Sequence, residues 1–165
     1  MSTDVNCIQV PPAAGLQPTH KFMVRKAVAW LRNRKNCGVV MAELATANNE
    51  TPDALGFHGL GSSILVECKV SRSDFLADRT KLFRTFEEMG MGDARYFAIP
   101  KGLVAPHELP EGWGLIEITD SRTFETKEAT QKTSNKRAEV KMLMSALRRL
   151  EIATAVFVRH EDVNP

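Results

Sequence analysis

The fold of this protein is decided by residues 51–70, which read TPDALGFHGLGSSILVECKV. Two apolar runs, residues 52–57 and 63–70, flank a stretch that is rich in glycine and serine. Short apolar runs separated by turn residues are typical of a β-hairpin, and a proline can open the first strand without removing an inner ladder bond. The sequence therefore predicts two antiparallel strands joined by a five-residue turn.

The register of this hairpin brings two acidic residues together. A five-residue turn pairs Leu55 with Leu65 and places Asp53 opposite Glu67. Carboxylates directly opposed across two strands have Cβ atoms about 4.5–5.5 Å apart and repel each other. A raised pKa, a neighbouring cation or a bound metal can relieve that repulsion.

Lys69 lies on the same face of the second strand as Glu67. Alternate residues of a strand point to one side, roughly 6.6 Å apart, whereas Cys68 and its apolar neighbours point to the other side and are expected to pack on a helix. Two more Glu-x-Lys pairs, at positions 125/127 and 139/141, fall in a polar stretch and on a predicted helix. Both are interpreted as solvated surface, so only the strand pair is a candidate for chemistry.

A third acid, Glu43, lies in another apolar run, where burial would be costly without a partner. Three acids and a lysine on one sheet suit a hard cation such as Mg²⁺, with Mn²⁺ as a substitute. Asp53 and Glu67 would hold the metal, with the Cys68 backbone carbonyl and Glu43 as further ligands. Lys69 would orient the water that the metal activates. The predicted catalytic set is therefore Asp53, Glu67, Lys69 and Glu43.

Each of these residues also has a simpler structural interpretation. Glu67 and Lys69 could form an ion pair on an edge strand, and Asp53 could be a solvated acid near a turn. The predicted register, which brings the three side chains together, favours the metal site over these alternatives.

The remaining patterns predict an α/β fold, in which helices flank one central mixed β-sheet. The last helix has an apolar side made of Val140, Leu143, Met144, Leu147 and Leu150. The predicted elements outside the hairpin are a helix over 20–35, a strand over 39–45, a helix that Ser71 caps and that runs to Gly90, strands over 95–99 and 114–119, an edge strand around Phe124, and a helix over 135–150.

Length and composition suit one globular unit. The 165 residues are 43% hydrophobic and 25% charged, with a net charge of +2, so wholesale disorder is not expected. Residues 1–19 are predicted to be a flexible arm, 20–120 the core, and 121–165 an extension whose basic helix packs on the core. Three scattered cysteines favour a reducing cytoplasm, and neither a signal peptide nor a membrane span is predicted.

The hairpin motif resembles that of the PD-(D/E)XK nuclease superfamily, and the wider pattern is similar to the MmcB-like DNA repair proteins. The likeness covers about residues 21–119. The stretches that carry it are TPDAL (51–55), ILVECK (64–69), VSRSDFLADR (70–79), RYFAIP (95–100) and LPEGWGLI (109–116).

This resemblance implies a restriction-endonuclease-like core and a Mg²⁺-dependent endonuclease that cleaves DNA in repair, recombination or phage DNA metabolism. The alternative is a non-catalytic module on the same fold that binds nucleic acid or another protein. DNA is the expected partner, and two cuts on a duplex would favour a homodimer. Independently of the resemblance, the positions of Lys21, Arg25, Arg72, Arg79 and Lys81 would allow them to contact phosphates. The alternative interpretation is that they belong to ordinary solvated helix faces.

Overall fold

A mixed six-stranded sheet, with its strands in chain order, forms the centre of the molecule. The computed structural model describes residues 18–45, 50–59, 61–78 and 86–150. Its strands are β1 Val39–Ala42, β2 Ala54–Phe57, β3 Ser63–Cys68, β4 Ala94–Pro100, β5 Gly114–Ile118 and β6 Thr123–Lys127. The helices are α1 His20–Asn33, α2 Arg72–Asp78 and α3 Lys136–Arg149, with short 3₁₀ turns at Glu87–Met89 and Pro106–Glu108. The predicted α/β class, with a central mixed sheet flanked by helices, is confirmed.

The central hairpin has the predicted register. Leu55 pairs with Leu65 in antiparallel β2 and β3, and the turn is closed by the His58 N–H, which donates to the Ser62 carbonyl at 2.9 Å. Strand β1 pairs antiparallel with β2, and β6 pairs antiparallel with β5. The β3–β4 and β4–β5 pairs are parallel. Parallel strands are usually covered on both faces, and β3 and β4 are buried along nearly their whole length.

The two faces of the sheet support two separate apolar cores. On one face α1 packs against β1 to β4, and Ile64, Val66 and Cys68 of β3 point into that core. On the other face Leu65 lies in a second core with Phe75 of α2. The alternation predicted for β3 is therefore confirmed, and Glu67 is on the strand face of Leu65.

Helix α3 turns a different side to the sheet than its apolar pattern predicted. Val140, Met144, Leu147 and Leu150 are 43–70% exposed, whereas Met142 is fully buried. The reason is Glu139, which is 2% exposed because its carboxylate accepts hydrogen bonds from the Ser63 hydroxyl at 2.7 Å and the Gly92 N–H at 2.9 Å. Anchoring this acid leaves most of the predicted stripe exposed. The prediction was wrong for these four residues, whereas Leu143 is partly buried against the second core.

A polar cluster ties the start of α3 to the beginning of β4. The Asp93 carboxylate accepts hydrogen bonds from the Lys136 ammonium at 2.5 Å, the Ser63 N–H at 2.8 Å and the Ser134 hydroxyl at 2.9 Å. Burial alone would raise the pKa of Asp93, but these three donors lower it below its ordinary value of 3.8. The cluster therefore stabilises the fold most when Asp93 is ionised.

Several predictions along the chain fall partly outside the described residues. These are the N-terminal arm up to residue 17, the helix between residues 79 and 85, and any continuation of α3 beyond residue 150. Strand β6, from the predicted extension, completes the sheet at its edge. Among the described residues, no helix is both long and apolar enough to cross a membrane.

We expect the two methionines of α3 to respond differently to truncation. Met142→Ala removes a fully buried side chain and should lower the free energy of unfolding by about 2–5 kcal/mol. Met144→Ala, its control at a 51% exposed position, should change it by less than about 0.5 kcal/mol. Urea denaturation measures both, and equal losses would contradict the observed orientation of α3.

The Asp93 cluster predicts a specific acid sensitivity. Because the pKa of Asp93 is lower in the folded protein than its ordinary value of 3.8, its stabilising contribution is complete above that pH and is lost as the pH falls through the folded value. Asp93→Asn should therefore reduce stability at neutral pH and flatten the decline of the unfolding free energy below pH 3.8. Urea titrations across this range should show no such flattening in Asp120→Asn, whose side chain is exposed.

Candidate metal centre

The candidate site lies where β1 and β3 end and where β2 and α1 begin. Strand β1 ends immediately before Glu43, β2 begins immediately after Asp53, and β3 ends immediately before Lys69. The Glu43 N–H donates to the Asp53 carbonyl at 3.1 Å, and the hairpin register, continued by one pair, places Asp53 opposite Glu67. The strand ladders therefore bring Glu43, Asp53 and Glu67 into one row across the sheet.

Asp53 is held at two points. Its Oδ2 accepts a hydrogen bond from the Cys68 N–H at 2.7 Å, and its Oδ1 lies 3.2 Å from Nε2 of His20. The side chain is only 18% exposed. These two contacts fix its orientation. The N–H and C=O of one strand residue point toward the same neighbouring strand, so the Cys68 carbonyl is expected to face the β2 side as well.

Glu43 is not buried, contrary to the prediction. Strand β1 stops at Ala42, and Glu43 adopts a φ of 50°, a left-handed conformation that is uncommon outside glycine. This turn takes the side chain out of the apolar run and leaves it 55% exposed, 3.5 Å from Nδ1 of His20. Burial therefore does not penalise its charge.

His20 is a member of the site that the sequence analysis did not identify. It is the first residue of α1, directly after Thr19, whose hydroxyl caps the helix by accepting from the Phe22 N–H at 3.2 Å. Its ring bridges Glu43 and Asp53 from the α1 side of the sheet. The four histidines of the chain show no ligand spacing, so only its position at a helix start could have indicated a role.

Lys69 is buried among acids. Its side chain is 7% exposed, and its Nζ lies 3.1 Å from Asp78 Oδ1, 3.5 Å from Glu67 Oε2 and 4.0 Å from Asp74 Oδ1. Helix α2 supplies the two aspartates, and Ser71 caps its first turn as predicted by accepting from the Asp74 N–H. Both aspartates face the Lys69 ammonium.

The raised pKa of the Cys68 thiol reflects burial and the excess of negative charge around the site. Burial raises the pKa of its thiol well above the usual value, and the carboxylates of Asp53, Glu67 and Glu43 raise it further, while Lys69 opposes them. Four groups from three strand ends thus act on one atom. A cation placed near them would be attracted by the same field.

The candidate ligands are of the chemical type that a hard cation prefers, but they do not lie close together. In the part of the chain that the structure describes, no three His, Cys, Asp or Glu side chains lie close enough together to hold a metal ion. Carboxylate and carbonyl oxygens suit Mg²⁺ and Mn²⁺. Binding would require Asp53 to exchange its contact with His20, or Glu67 its contact with Lys69, for the ion.

The basic residues predicted to bind DNA fall into three groups. Arg72 forms an ion pair with Glu108, in which its Nη1 lies 3.2 Å from Oε1, so its charge is already compensated. Lys21 and Arg25 are exposed on α1, and no ion pair with the described residues compensates them. Arg79 and Lys81 lie outside the described residues.

We expect Asp78 to stabilise the fold through Lys69. Asp78→Asn leaves a buried ammonium with one acid fewer and should lower the free energy of unfolding by about 3 kcal/mol. Asp74→Asn is the control, because Asp74 is 45% exposed and 4.0 Å from the same ammonium, and it should cost less than about 1 kcal/mol. Similar costs in urea denaturation would show that Asp78 does not hold Lys69.

Comparison with known proteins supports the fold. The chain is similar to the solved structure of the SPO1766 protein of unknown function from Silicibacter pomeroyi, with 27% sequence identity and a TM-score of 0.62. The likeness covers 82% of this chain and 90% of that chain. A scan of protein-family models gives no match, and a search of curated proteins gives no significant match. The similarity extends over most of both chains and concerns their architecture.

Proposed function

We propose that this protein is a Mg²⁺-dependent endodeoxyribonuclease of the PD-(D/E)XK class, with Mn²⁺ as a substitute, working in the cytoplasm. The observation that carries the proposal is the hairpin register, in which Leu55 pairs with Leu65. It brings Asp53, Glu67 and Lys69 to one end of the sheet. The Lys69 ammonium is buried beside the carboxylates of Glu67 and Asp78, an arrangement that is costly to maintain for stability alone, which supports a catalytic role.

The carboxylates of Asp53 and Glu67 would hold the ion, with the Cys68 carbonyl and Glu43 as further oxygen donors. When bound, Mg²⁺ lowers the pKa of a coordinated water and polarises the phosphodiester. Lys69 would orient the attacking water and stabilise the negative charge that develops on the phosphate. Asp78 and Glu67 hold its ammonium within 3.1 and 3.5 Å, so that it is positioned before the substrate arrives.

His20 extends this site. Its ring lies within 3.5 Å of both Glu43 and Asp53, so a ring N–H can donate a hydrogen bond to one of these acids while no cation is bound. A bound ion would replace that contact and release the ring, or bind it directly, since imidazole is a metal ligand in its neutral form. In either case His20 tunes the affinity of the site for the ion.

DNA is the proposed substrate because exposed cations lie on α1, the helix that supplies His20. Lys21 and Arg25 follow His20 on α1 and are free to contact phosphates, which gives salt-dependent affinity without sequence choice. Two such sites are needed to cut both strands, so the proposal includes a homodimer for double-strand cleavage.

A second candidate is a non-catalytic module on the same fold that binds nucleic acid or protein. The observation that favours it is the dispersed arrangement of the ligands, because among the described residues no group of three is close enough to hold a metal. Such a protein would bind DNA without cutting it.

Plasmid nicking tests the proposal. Purified protein should nick supercoiled DNA with Mg²⁺ or Mn²⁺ and not with EDTA, and Lys69→Ala should reduce the rate at least about 100-fold. Lys127→Ala is the matched control, because Lys127 belongs to a second Glu-x-Lys pair on the edge strand β6. Binding without nicking in any metal would reject the enzyme and favour the module.

A melting scan separates metal binding from turnover. Wild-type protein should gain thermal stability with Mn²⁺, because an ion that binds only the folded state stabilises it by about 2.7 kcal/mol at 100 times its dissociation constant. Asp53→Asn keeps an acceptor for the Cys68 N–H but loses the charge, so that gain should disappear. An unchanged response to Mn²⁺ in Asp53→Asn would remove Asp53 from the ligand set.

A further inference from the structure

An open groove of about 470 Å³ lies between α1 and the sheet edge at β6. Lys26, Arg34 and Arg122 line it, and none of the eight lining residues is acidic. The whole chain carries 22 basic and 20 acidic residues, so a lining of three cations without an acid is a strong local excess. The groove therefore favours an anionic ligand.

The three cations are available to a ligand. No ion pair with the described residues involves Lys26, Arg34 or Arg122, and the Lys26 ammonium donates only to the backbone carbonyl of Asp120, at 2.7 Å. Lys35, two residues beyond the end of α1, differs, because its ammonium lies 2.8 Å from a carboxylate oxygen of Glu125. The charge of Lys35 beside the groove is therefore compensated, whereas the described residues leave the charges of the three groove cations uncompensated.

One exposed aromatic residue lines the same groove. Phe124 on β6 is 39% exposed, whereas Trp30 on the α1 side is only 3% exposed. The Lys101 ammonium lies 5.4 Å from the centre of the Phe124 ring, so a further cation is close to this ring. An exposed aromatic ring surrounded by basic side chains is the arrangement with which proteins bind single-stranded nucleic acid, since bases stack on the ring and phosphates contact the cations.

We propose that this groove binds one strand of unpaired nucleic acid, with a base stacked on Phe124 and phosphates at Arg34 and Arg122. Bases within a duplex are stacked on each other and cannot reach a side-chain ring, which is why the ligand is single-stranded. The inference rests on the proposed function and narrows its substrate to DNA that carries a single-stranded stretch.

The groove and the acid site share one helix. His20 contacts Asp53 at the start of α1, and Lys26 and Arg34 follow six and fourteen residues later, which corresponds to about 9–21 Å along the helix axis. A strand that occupies the groove can therefore continue to the carboxylates.

Binding of a fluorescein-labelled oligothymidylate in EDTA tests the groove without any cleavage. Phe124→Ala should weaken binding about tenfold or more, because stacking of one base contributes about 1–3 kcal/mol. Phe124→Trp should retain the affinity, which distinguishes stacking from a structural role. In Arg34→Gln/Arg122→Gln, the slope of log affinity against log salt should become shallower by about 1.4, or 0.7 for each lost phosphate contact.

The matched control is Arg137→Gln/Lys141→Gln, which removes two exposed cations from α3 on the opposite face of the sheet. It should keep the wild-type salt slope. The groove assignment is overturned if wild-type protein does not bind the oligonucleotide, if the groove variants bind like wild type, or if the control loses as much. It is also overturned if a labelled polyglutamate peptide binds as tightly and depends equally on Phe124.

The outcomes separate this inference from the nuclease proposal. Groove-dependent binding without metal-dependent nicking would reject the nuclease and keep the groove. Nicking that requires Lys69, together with unchanged binding in the groove variants, would keep the nuclease and reject the groove.

Discussion

The pairing of Leu55 with Leu65 is the constraint on which the rest of the structure depends. Side chains alternate along a strand, so a slip of one residue would exchange the two faces of β3. Glu67 and Lys69 would then point into the apolar core under α1, and Cys68 would point into the polar site. Since both faces of β3 are buried, a shifted register would bury charge in one core and lose packing in the other. The fold and the candidate site are therefore specified by the same pairing.

The second requirement is that buried charge be compensated from outside the hairpin. Lys69 and Glu67 are 5% and 3% exposed, and an ion pair removed from water recovers its desolvation cost only when further partners are present. Helix α2 supplies Asp78 for this purpose, while α1 supplies His20 for Asp53. The two helices, one on each face of the sheet, thus supply partners for the charged side chains of the β2–β3 pair. The acids and the lysine keep their positions because elements distant in sequence meet at the strand ends.

Local sequence was sufficient to predict the hairpin, its register and the face on which Glu67 and Lys69 lie, because strand alternation and turn length are properties of neighbouring residues. It was insufficient for three features that depend on distant contacts. Glu43 leaves its strand through a left-handed turn, His20 reaches the site only because α1 begins there, and Glu139 reorients α3 by bonding to Ser63 and Gly92. Periodicity alone places a buried acid such as Glu139 on the solvent side, so the apolar stripe of α3 was assigned to the core.

Gly114 connects the interior of the sheet with its surface. A Cβ built on it would lie 2.3 Å from Cε1 of Tyr96 and 2.8 Å from the backbone nitrogen of Ala129, so no larger residue fits without displacing the tyrosine. Tyr96 packs edge-on against Trp30, with ring centres 5.0 Å apart, and Trp30 forms part of the groove between α1 and β6. Because Gly114 has no Cβ atom, Tyr96 can pack against Trp30 in this position. The shape of the groove therefore depends on a glycine in a buried strand. Mutational tolerance should accordingly be low at this glycine, although it touches no solvent.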